Sequence, residues 1–202
     1  AWAADCATVG NGPTTHAAVA TTAAAALLFG GLRSIDAQSG SYPTKVVQRY
    51  DFASDTWSAL TTLPQIRDGA AVVISQGMAH VIGGRTLDET SGKVLIPASV
   101  LSYDLTSHEW RDDYLPLLPT PRVNLACARL ADQVYCFGGE TGKGAALATV
   151  DRLDLTTREW HTMADLIEPR SRLRAVALSD AIYLLGGVGA DASTKRDVWR
   201  VD

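Results

Sequence analysis

Apolar runs that end in a glycine pair recur four times along this chain, at intervals of roughly fifty residues. The segments before the second, third and fourth pairs align with one another without gaps. Self-similarity at this period indicates a stack or ring of like units, none of which buries its own faces alone. We expect the glycines to be structural; the pairs are Gly30-Gly31, Gly83-Gly84, Gly138-Gly139 and Gly186-Gly187.

Each of the aligned segments contains two almost continuously apolar arms that are separated by a two-residue tip. Short links of this kind join antiparallel neighbours. Because neither arm has an alternating polar face, the pattern predicts strands that are buried on both faces. The predicted tips are Gln76-Gly77, Ala131-Asp132 and Ser179-Asp180.

A third run follows each glycine pair after a loop of variable length, and in it apolar and polar residues alternate. The alternation predicts a half-exposed strand, and the Asp at its end is suited to cap the following turn. A Trp stands six residues beyond that Asp in three of the units. We expect Trp57, Trp110 and Trp160 to fill the wedge between neighbouring units, each stabilising it by about 2–3 kcal/mol.

Four antiparallel strands per unit, with the inner two buried on both faces, are typical of a propeller blade. The order Pro-Arg, hairpin, a Tyr shortly before Gly-Gly, Tyr-Asp and Trp resembles the kelch repeat over essentially the whole chain. The resemblance implies an all-β, kelch-type β-propeller that forms a single body over residues 1–202. The first unit departs most, since Thr14 replaces the usual Arg and Leu27 the usual Tyr; His80 replaces that Tyr in the second unit.

Four blades are predicted, at about 13–60, 64–115, 119–165 and 168–202. The last unit stops after its third strand, while Trp2 has the spacing of a fourth-strand Trp. Residues 1–6 are therefore expected to complete the last blade, which would remove two open sheet edges. Three arrangements stay open: a closed four-blade ring, part of a larger ring, and a ring shared with a second chain.

The composition excludes several classes of partner. Hydrophobic residues make up 47% of the chain and charged residues 20%, with no long uninterrupted apolar stretch, so we expect a soluble protein without a membrane span. The net charge of −4 argues against nucleic acid as the main partner, because phosphate backbones reward a basic face. The compartment is left open, with a preference for the cytoplasm.

The chemistry-bearing residues do not assemble into a catalytic or metal set. The four histidines occupy different strand positions or turns, and no two of them have the spacing of a metal pair. Paired carboxylates, a Ser/His/Asp set and a phosphate-binding loop are likewise missing. We therefore predict no catalytic residue, no metal and no cofactor; the histidines are His16, His80, His108 and His161.

Recognition is expected on the face that carries the long, variable loops, opposite the short hairpin tips. His16, Gly69, Asn124 and Arg172 occupy the aligned position that lies two residues after the recurrent Arg, around the central mouth. In kelch domains that act as substrate adaptors, residues at this place hold acidic peptides. By that resemblance Arg172 is the best candidate for binding a carboxylate, through the two parallel donors of its guanidinium.

The predicted binding residues are Arg172, Asn124, His16 and Arg67. Arg67 recurs as Arg122 and Arg170 in the later units, and such repetition also favours a structural role, tied to nearby carbonyls or Asp side chains. Asn124 and Arg172 do not repeat, which favours binding.

The leading functional hypothesis is a non-enzymatic scaffold that presents the loop face to a protein or peptide, including an acidic one. Two rivals remain. A sugar-modifying propeller enzyme, similar to an epimerase or mutarotase, would need an acid/base pair in the channel. A structural subunit of a large assembly would use the Trp-bearing rims instead of the mouth.

Cys127 and Cys136 face each other across the third hairpin in the predicted register. The register makes them a non-hydrogen-bonded pair, whose Cα atoms approach to about 4.5 Å and so lie within reach of a disulfide. Buried free cysteines are common in cores, and our expectation is two reduced thiols, with the disulfide as the alternative.

Overall fold

The computed structural model describes residues 14–34 and 41–201, which form strands, turns and loops without a helix. Among these residues there is accordingly no helical segment of the length and apolarity needed to cross a membrane. The strands are β1 (Thr14–Thr15), β2 (Ala18–Thr21), β3 (Ala25–Phe29), β4 (Leu32–Ser34), β5 (Ser41–Pro43), β6 (Val46–Asp51), β7 (Thr56–Thr62), β8 (Ala71–Ser75), β9 (Met78–Ile82), β10 (Thr86–Leu87), β11 (Val94–Leu95), β12 (Leu101–Asp104), β13 (Trp110–Arg111), β14 (Ala126–Leu130), β15 (Gln133–Phe137), β16 (Val150–Asp154), β17 (Glu159–Thr162), β18 (Arg170–Ser171), β19 (Arg174–Leu178), β20 (Ala181–Leu185), β21 (Val188–Gly189) and β22 (Val198–Val201).

Four antiparallel sheets follow one another in chain order as the blades of a propeller, so the all-β propeller prediction is confirmed. Blade 1 is β2-β3-β6-β7, blade 2 is β8-β9-β12-β13 and blade 3 is β14-β15-β16-β17. Blade 4 is β19-β20-β22, with three strands in the described part of the chain. The strand predicted to complete it, at residues 1–6, lies outside the described residues.

The hairpins of blades 2 to 4 have the register that the two-residue tips predict. Ser75 pairs with Met78, Leu130 with Gln133 and Leu178 with Ala181. Every residue of β9 is buried, as expected for an inner strand that is covered on both faces.

The turn after each third strand is capped by its Asp. The Asp51 carboxylate accepts hydrogen bonds from the backbone N–H groups of Ser54 and Ala53, both at 3.0 Å. The hydrogen bond from Ser54, followed by one from Arg49, lowers the pKa of Asp51 to about 2. Asp104 and Asp154 accept the equivalent backbone hydrogen bonds in blades 2 and 3.

Three hydrophobic clusters fill the seams between consecutive blades. Phe29 and Leu63 of blade 1 pack with Val81 of blade 2, and the later seams repeat the arrangement. No blade covers the two outermost faces of the stack in the described part of the chain, and Val19 of blade 1 and Leu178 of blade 4 are exposed there. Each blade thus depends on its neighbours for burial, as in other repeat proteins.

The recurrent glycines and arginines form one joint across each seam. The N–H of Gly139 donates to the carbonyl oxygen of Arg170 in the next blade at 2.9 Å, and Gly31 and Gly84 make the same bond to Arg67 and Arg122. Gly138 has a φ of 54°, and a methyl group there would collide with the Arg170 carbonyl oxygen. A side chain at this position would therefore prevent the blades from approaching.

The side chain of Arg67 is fully buried, which favours the structural role of this residue over the predicted binding role. It donates to Ser99 Oγ at 2.6 Å and to the Ile66 carbonyl oxygen at 3.3 Å, and burial lowers its pKa to about 10. Arg122 is equally buried but donates to Asp151 Oδ2 at 2.5 Å. A guanidinium held in this way is covered from solvent, which fits the structural role that the recurrence of this Arg suggests.

Cys127 and Cys136 are joined by a disulfide with a Cα–Cα distance of 4.2 Å, so the expectation of two reduced thiols is wrong for this structure. The two residues are register partners on β14 and β15. Non-hydrogen-bonded partners in an antiparallel pair have the closest Cα atoms, which brings the two sulfur atoms within bonding distance.

Candidate binding site at the channel mouth

Backbone pairing brings two sets of connections together on one side of the propeller. β18, which leads into the first strand of blade 4, pairs with β21 in the loop that follows the hairpin. β1 and β4 make the equivalent pair in blade 1, and single bridges join Asp68 to Arg85 and Val123 to Glu140. The hairpin tips lie at the other ends of the strands, so this loop face is where variable side chains converge.

The four aligned mouth positions share one backbone conformation. His16, Gly69, Asn124 and Arg172 have φ values of 56°, 64°, 57° and 56°, all in the left-handed region. A chain of hydrogen bonds links them from blade to blade: Gly69 N–H donates to His16 O at 3.3 Å, Asn124 N–H to Gly69 O at 2.7 Å and Arg172 N–H to Asn124 O at 2.8 Å. The structure therefore brings all four predicted positions together.

The left-handed conformation has an intrinsic cost for three of these residues. Glycine adopts it freely, Asn and His tolerate it, and Arg adopts it less readily. In blade 2 this position is Gly69, for which the conformation has little cost. The same conformation recurs at the hairpin tips, at Gln76, Ala131 and Ser179, so it marks repeated turns as well as the mouth.

The mouth residues enclose a cavity of about 170 Å³, to which Arg174 also contributes. A second cavity, of about 340 Å³, is lined by the first strands of all four blades. Val19, Leu125, Cys127 and Val176 contribute to this second cavity, so its wall is mainly apolar. A ligand at the mouth would thus meet polar groups at the surface and aliphatic groups below.

Glu140 partly balances the charge at the mouth. Its Oε1 accepts a hydrogen bond from Asn124 Nδ2 at 2.6 Å and lies 3.7 Å from Arg172 Nη2. The Arg172 side chain is 56% exposed and that of Glu140 only 14%, so most of the guanidinium faces solvent while the carboxylate is covered. Arg172 can therefore donate to an incoming carboxylate without first leaving Glu140.

A second ion pair lies beside the mouth, between the buried Asp68 and the more exposed Arg85. Arg85 Nε lies 2.5 Å from Asp68 Oδ2. Neither Glu140 nor Arg85 was identified from the sequence, although a signal was present. Both follow a glycine pair directly, and this position varies from blade to blade as Leu32, Arg85, Glu140 and Val188.

His80 lies away from the mouth in a closed environment. It is fully buried between Ser75 Oγ, 2.8 Å from Nε2, and Ser102 Oγ, 2.9 Å from Nδ1, and its ring stacks on Tyr114. Burial lowers its pKa to about 4, so the imidazole is neutral at pH 7. Over residues 14–34 and 41–201, no three His, Cys, Asp or Glu side chains are grouped so that they could hold a metal ion.

The predicted wedge tryptophans occupy two kinds of position. Trp110 Nε1 donates to the Thr62 carbonyl oxygen of blade 1 at 2.8 Å, and Trp160 Nε1 to the Pro116 carbonyl oxygen of blade 2 at 3.2 Å. Trp57 instead packs on Tyr50 of its own blade, with 5.1 Å between the ring centroids. All three side chains are half-buried.

Comparison with known families agrees with this architecture. Residues 121–167, which span blade 3, match the family model described as the Kelch motif. Blade 3 is therefore a kelch repeat, and the chain as a whole is similar to kelch-repeat proteins. It is 29% identical to Kelch-like protein terF of Aspergillus terreus over 71% of this chain, and 27% identical to alpha-scruin of Limulus polyphemus over 79%. This chain covers 32% and 17% of those two proteins, respectively.

Similar kelch proteins also occur in vertebrates. Human Kelch-like protein 34 is 26% identical over 77% of this chain, which covers 26% of that protein. Among solved structures, the one titled "Structure of YjhT" matches 93% of this chain and 81% of its own, with a TM-score of 0.69 and 14% identity. At this low identity the structural match shows the propeller fold alone.

Proposed function

We propose that this protein is a non-catalytic scaffold that binds a protein or peptide at the loop face, around the channel mouth. The observation that carries the proposal is the side chain of Arg172, which is 56% exposed at the mouth beside Asn124 and the covered Glu140. It borders a cavity of about 170 Å³. An exposed guanidinium at a concave site on the loop face is available for recognition.

The chemistry of the mouth favours an acidic segment as the ligand. Arg172 presents several unused N–H donors to solvent, and a guanidinium binds a carboxylate through two parallel hydrogen bonds. Asn124 lies beside it with Glu140 as its partner. The protein is acidic as a whole, with a net charge of −4, so binding of an acidic peptide depends on this local arrangement of donors and not on long-range attraction.

The decisive experiment compares Arg172→Gly with the wild-type chain. Acidic peptides are first selected by display on the immobilised protein, and the best one is labelled with fluorescein for titration. Glycine removes the guanidinium and also the cost of the left-handed backbone, so we expect at least a tenfold weaker affinity with no loss of stability. Arg129→Ala, which removes a half-exposed Arg on β14 near the hairpin tip, is the matched control and should bind normally.

Two outcomes would contradict the proposal. Unchanged affinity of the Arg172→Gly variant would remove the mouth as the binding site. Failure to select any peptide, together with catalysed mutarotation of an aldose that this variant abolishes, would establish the rival sugar-modifying enzyme.

A further inference from the structure

The disulfide of blade 3 occupies a repeat position that the other blades fill with aliphatic pairs. In blade 2 the register pairs Val72 with Val81 at the place where Cys127 faces Cys136. Val72 and Cys127 are each 8% exposed, and Val81 and Cys136 are fully buried. The corresponding pairs of blades 1 and 4 are Val19–Leu28 and Ala175–Leu184. Three blades thus form without a covalent bond here, so the bond in blade 3 is not a requirement of the blade.

The loop that this disulfide closes is short. The two cysteines are nine positions apart in the sequence, and the arms between them are already joined by a two-residue tip and a backbone ladder. A cross-link restricts the unfolded chain less when it closes a short loop than when it closes a long one. The bond therefore contributes less to folding than a disulfide between distant parts of the chain would.

One of the two cysteines borders the channel. Cys127 contributes to the wall of the 340 Å³ cavity, which is continuous with the mouth cavity because both are lined by Leu125 and Arg174. Cys136 lies behind Cys127 and is covered by the seam between blades 2 and 3. Thiol–disulfide exchange needs access to only one of the two sulfur atoms. A small thiol that enters through the mouth therefore meets Cys127, with Cys136 as the leaving group.

The disulfide lies at the end of the hairpin that carries two mouth residues. Asn124 precedes β14 and Glu140 follows β15, and the Asn124 amide donates to Glu140 Oε1 at 2.6 Å. Val123 and Glu140 also exchange backbone hydrogen bonds of 3.1 and 2.8 Å. The Cys pair is the second register pair from this end of the hairpin. The bond thus fixes the separation of the two arms close to the mouth.

We propose that Cys127 and Cys136 form a reversible redox site, which small thiols reduce from the channel while the propeller stays folded, and which holds the mouth end of the hairpin when oxidised. A thiolate attacks Cys127 Sγ and forms a mixed disulfide, while Cys136 Sγ leaves with the electron pair of the broken S–S bond and takes up a proton. A second thiol attacks the small-molecule sulfur of the mixed disulfide, and Cys127 leaves as a thiol. The protein gains two electrons and two protons, and the two small thiols become one disulfide. The inference does not depend on the proposed peptide binding.

The rate of reduction in the folded protein tests the site. In a Cys6→Ser background, intact mass after alkylation should show no free thiol before reduction and two after incubation with excess reduced glutathione. Reduction in native buffer should be less than about a hundredfold slower than in concentrated urea, because Cys127 borders the channel. A bond that is reached only through global unfolding would be slowed by about 10³ or more. Oxidised glutathione should restore the bond, with an unchanged circular dichroism spectrum throughout.

Two results of this experiment would overturn the proposal. One is free thiols at Cys127 and Cys136 before any reductant is added. The other is a reduction rate that rises with urea in parallel with the unfolded fraction, since the bond would then be purely structural. The matched variant, Cys127→Val with Cys136→Val, copies the pair of blade 2 and should fold with the wild-type spectrum; its failure to fold would also contradict the proposal.

Hydrogen exchange tests the effect of the bond on the mouth. The amides of Val123 and Glu140 should exchange at least about fivefold faster in the reduced protein, because the arms are no longer tied beside them. Asp68 and Arg85 exchange the equivalent backbone hydrogen bonds in blade 2, and their amides are the internal control that should not change. Equal exchange of Val123 and Glu140 in the two redox states would show that the bond does not hold the mouth, and would overturn that part of the proposal.

Discussion

At the scale of single residues, side chains at the same repeat position have different partners in different blades. Arg67 and Arg122 occupy the same repeat position and are both fully buried, but only Arg122 has a carboxylate partner, Asp151. His80 occupies the place of a Tyr, and two serines satisfy both of its ring nitrogens. Burial of a polar side chain is tolerated here because hydrogen bonds compensate for lost water.

His80 predicts a specific dependence of stability on pH. Its pKa is 6.5 in the unfolded chain and about 4 in the fold, so the unfolded state binds more protons between these values. The free energy of unfolding should therefore fall as the pH drops from 6.5 to 4, by up to about 3 kcal/mol from this residue, and be constant above 6.5. Urea titrations at several pH values across this range measure the free energy of unfolding.

The control for this prediction is a pair of variants. His80→Asn removes the titrating ring and should flatten the curve, leaving the slope that the carboxylates contribute, whereas the exposed His161→Asn should retain the wild-type slope. Wild-type and His80→Asn curves of the same shape would contradict the prediction.

At the scale of structural elements, the hairpin and the glycine pair behave as one module. The two-residue tip sets the register, the register brings Cys127 opposite Cys136, and the glycine pair ends the second arm at the carbonyl of the next blade. Much of this was predictable from sequence, because strand period and tip length determine pairing. The collision that excludes a side chain at Gly138 was not, because the Arg170 carbonyl belongs to another unit.

Gly138→Ala should be much more costly than Gly144→Ala, although both glycines have a positive φ, of 54° and 79°. At Gly144 a methyl group meets open space, so the expected loss is about 1 kcal/mol from backbone strain alone. At Gly138 the methyl group also collides with main-chain atoms, and we expect a loss above about 3 kcal/mol. Urea unfolding of the two variants compares them directly, and similar losses would argue against the seam joint.

At the scale of the whole molecule, stability is distributed over the seams. Leu184 is buried against blade 3, whereas Leu178 on the same blade is 62% exposed. The outer face of blade 4, with Val176 and Val198, is similarly exposed. Repeat proteins of this kind are stabilised by nearest-neighbour interfaces, so the covered and uncovered faces of one blade should respond differently to truncation.

Leu184→Ala should cost about 2–5 kcal/mol in the free energy of unfolding, because it leaves a cavity in the third seam. Leu178→Ala should change it by less than about 0.5 kcal/mol. Chemical denaturation of the two variants and the wild type measures both changes in the free energy of unfolding. A loss above 1 kcal/mol for Leu178→Ala would show that another surface covers this face in solution, either further blades or a second chain.

The sequence by itself determined the propeller blades, their strand order and the four mouth positions, because these depend on the strand period, on short tips and on the fifty-residue repeat. Only the tertiary structure decided that Arg67 is enclosed, that Cys127 and Cys136 are bonded, and that Glu140 shares the mouth with Asn124 and Arg172. These outcomes depend on which atoms from distant parts of the chain come within a few ångströms of one another. A local sequence pattern does not determine distances between residues that are far apart in the chain.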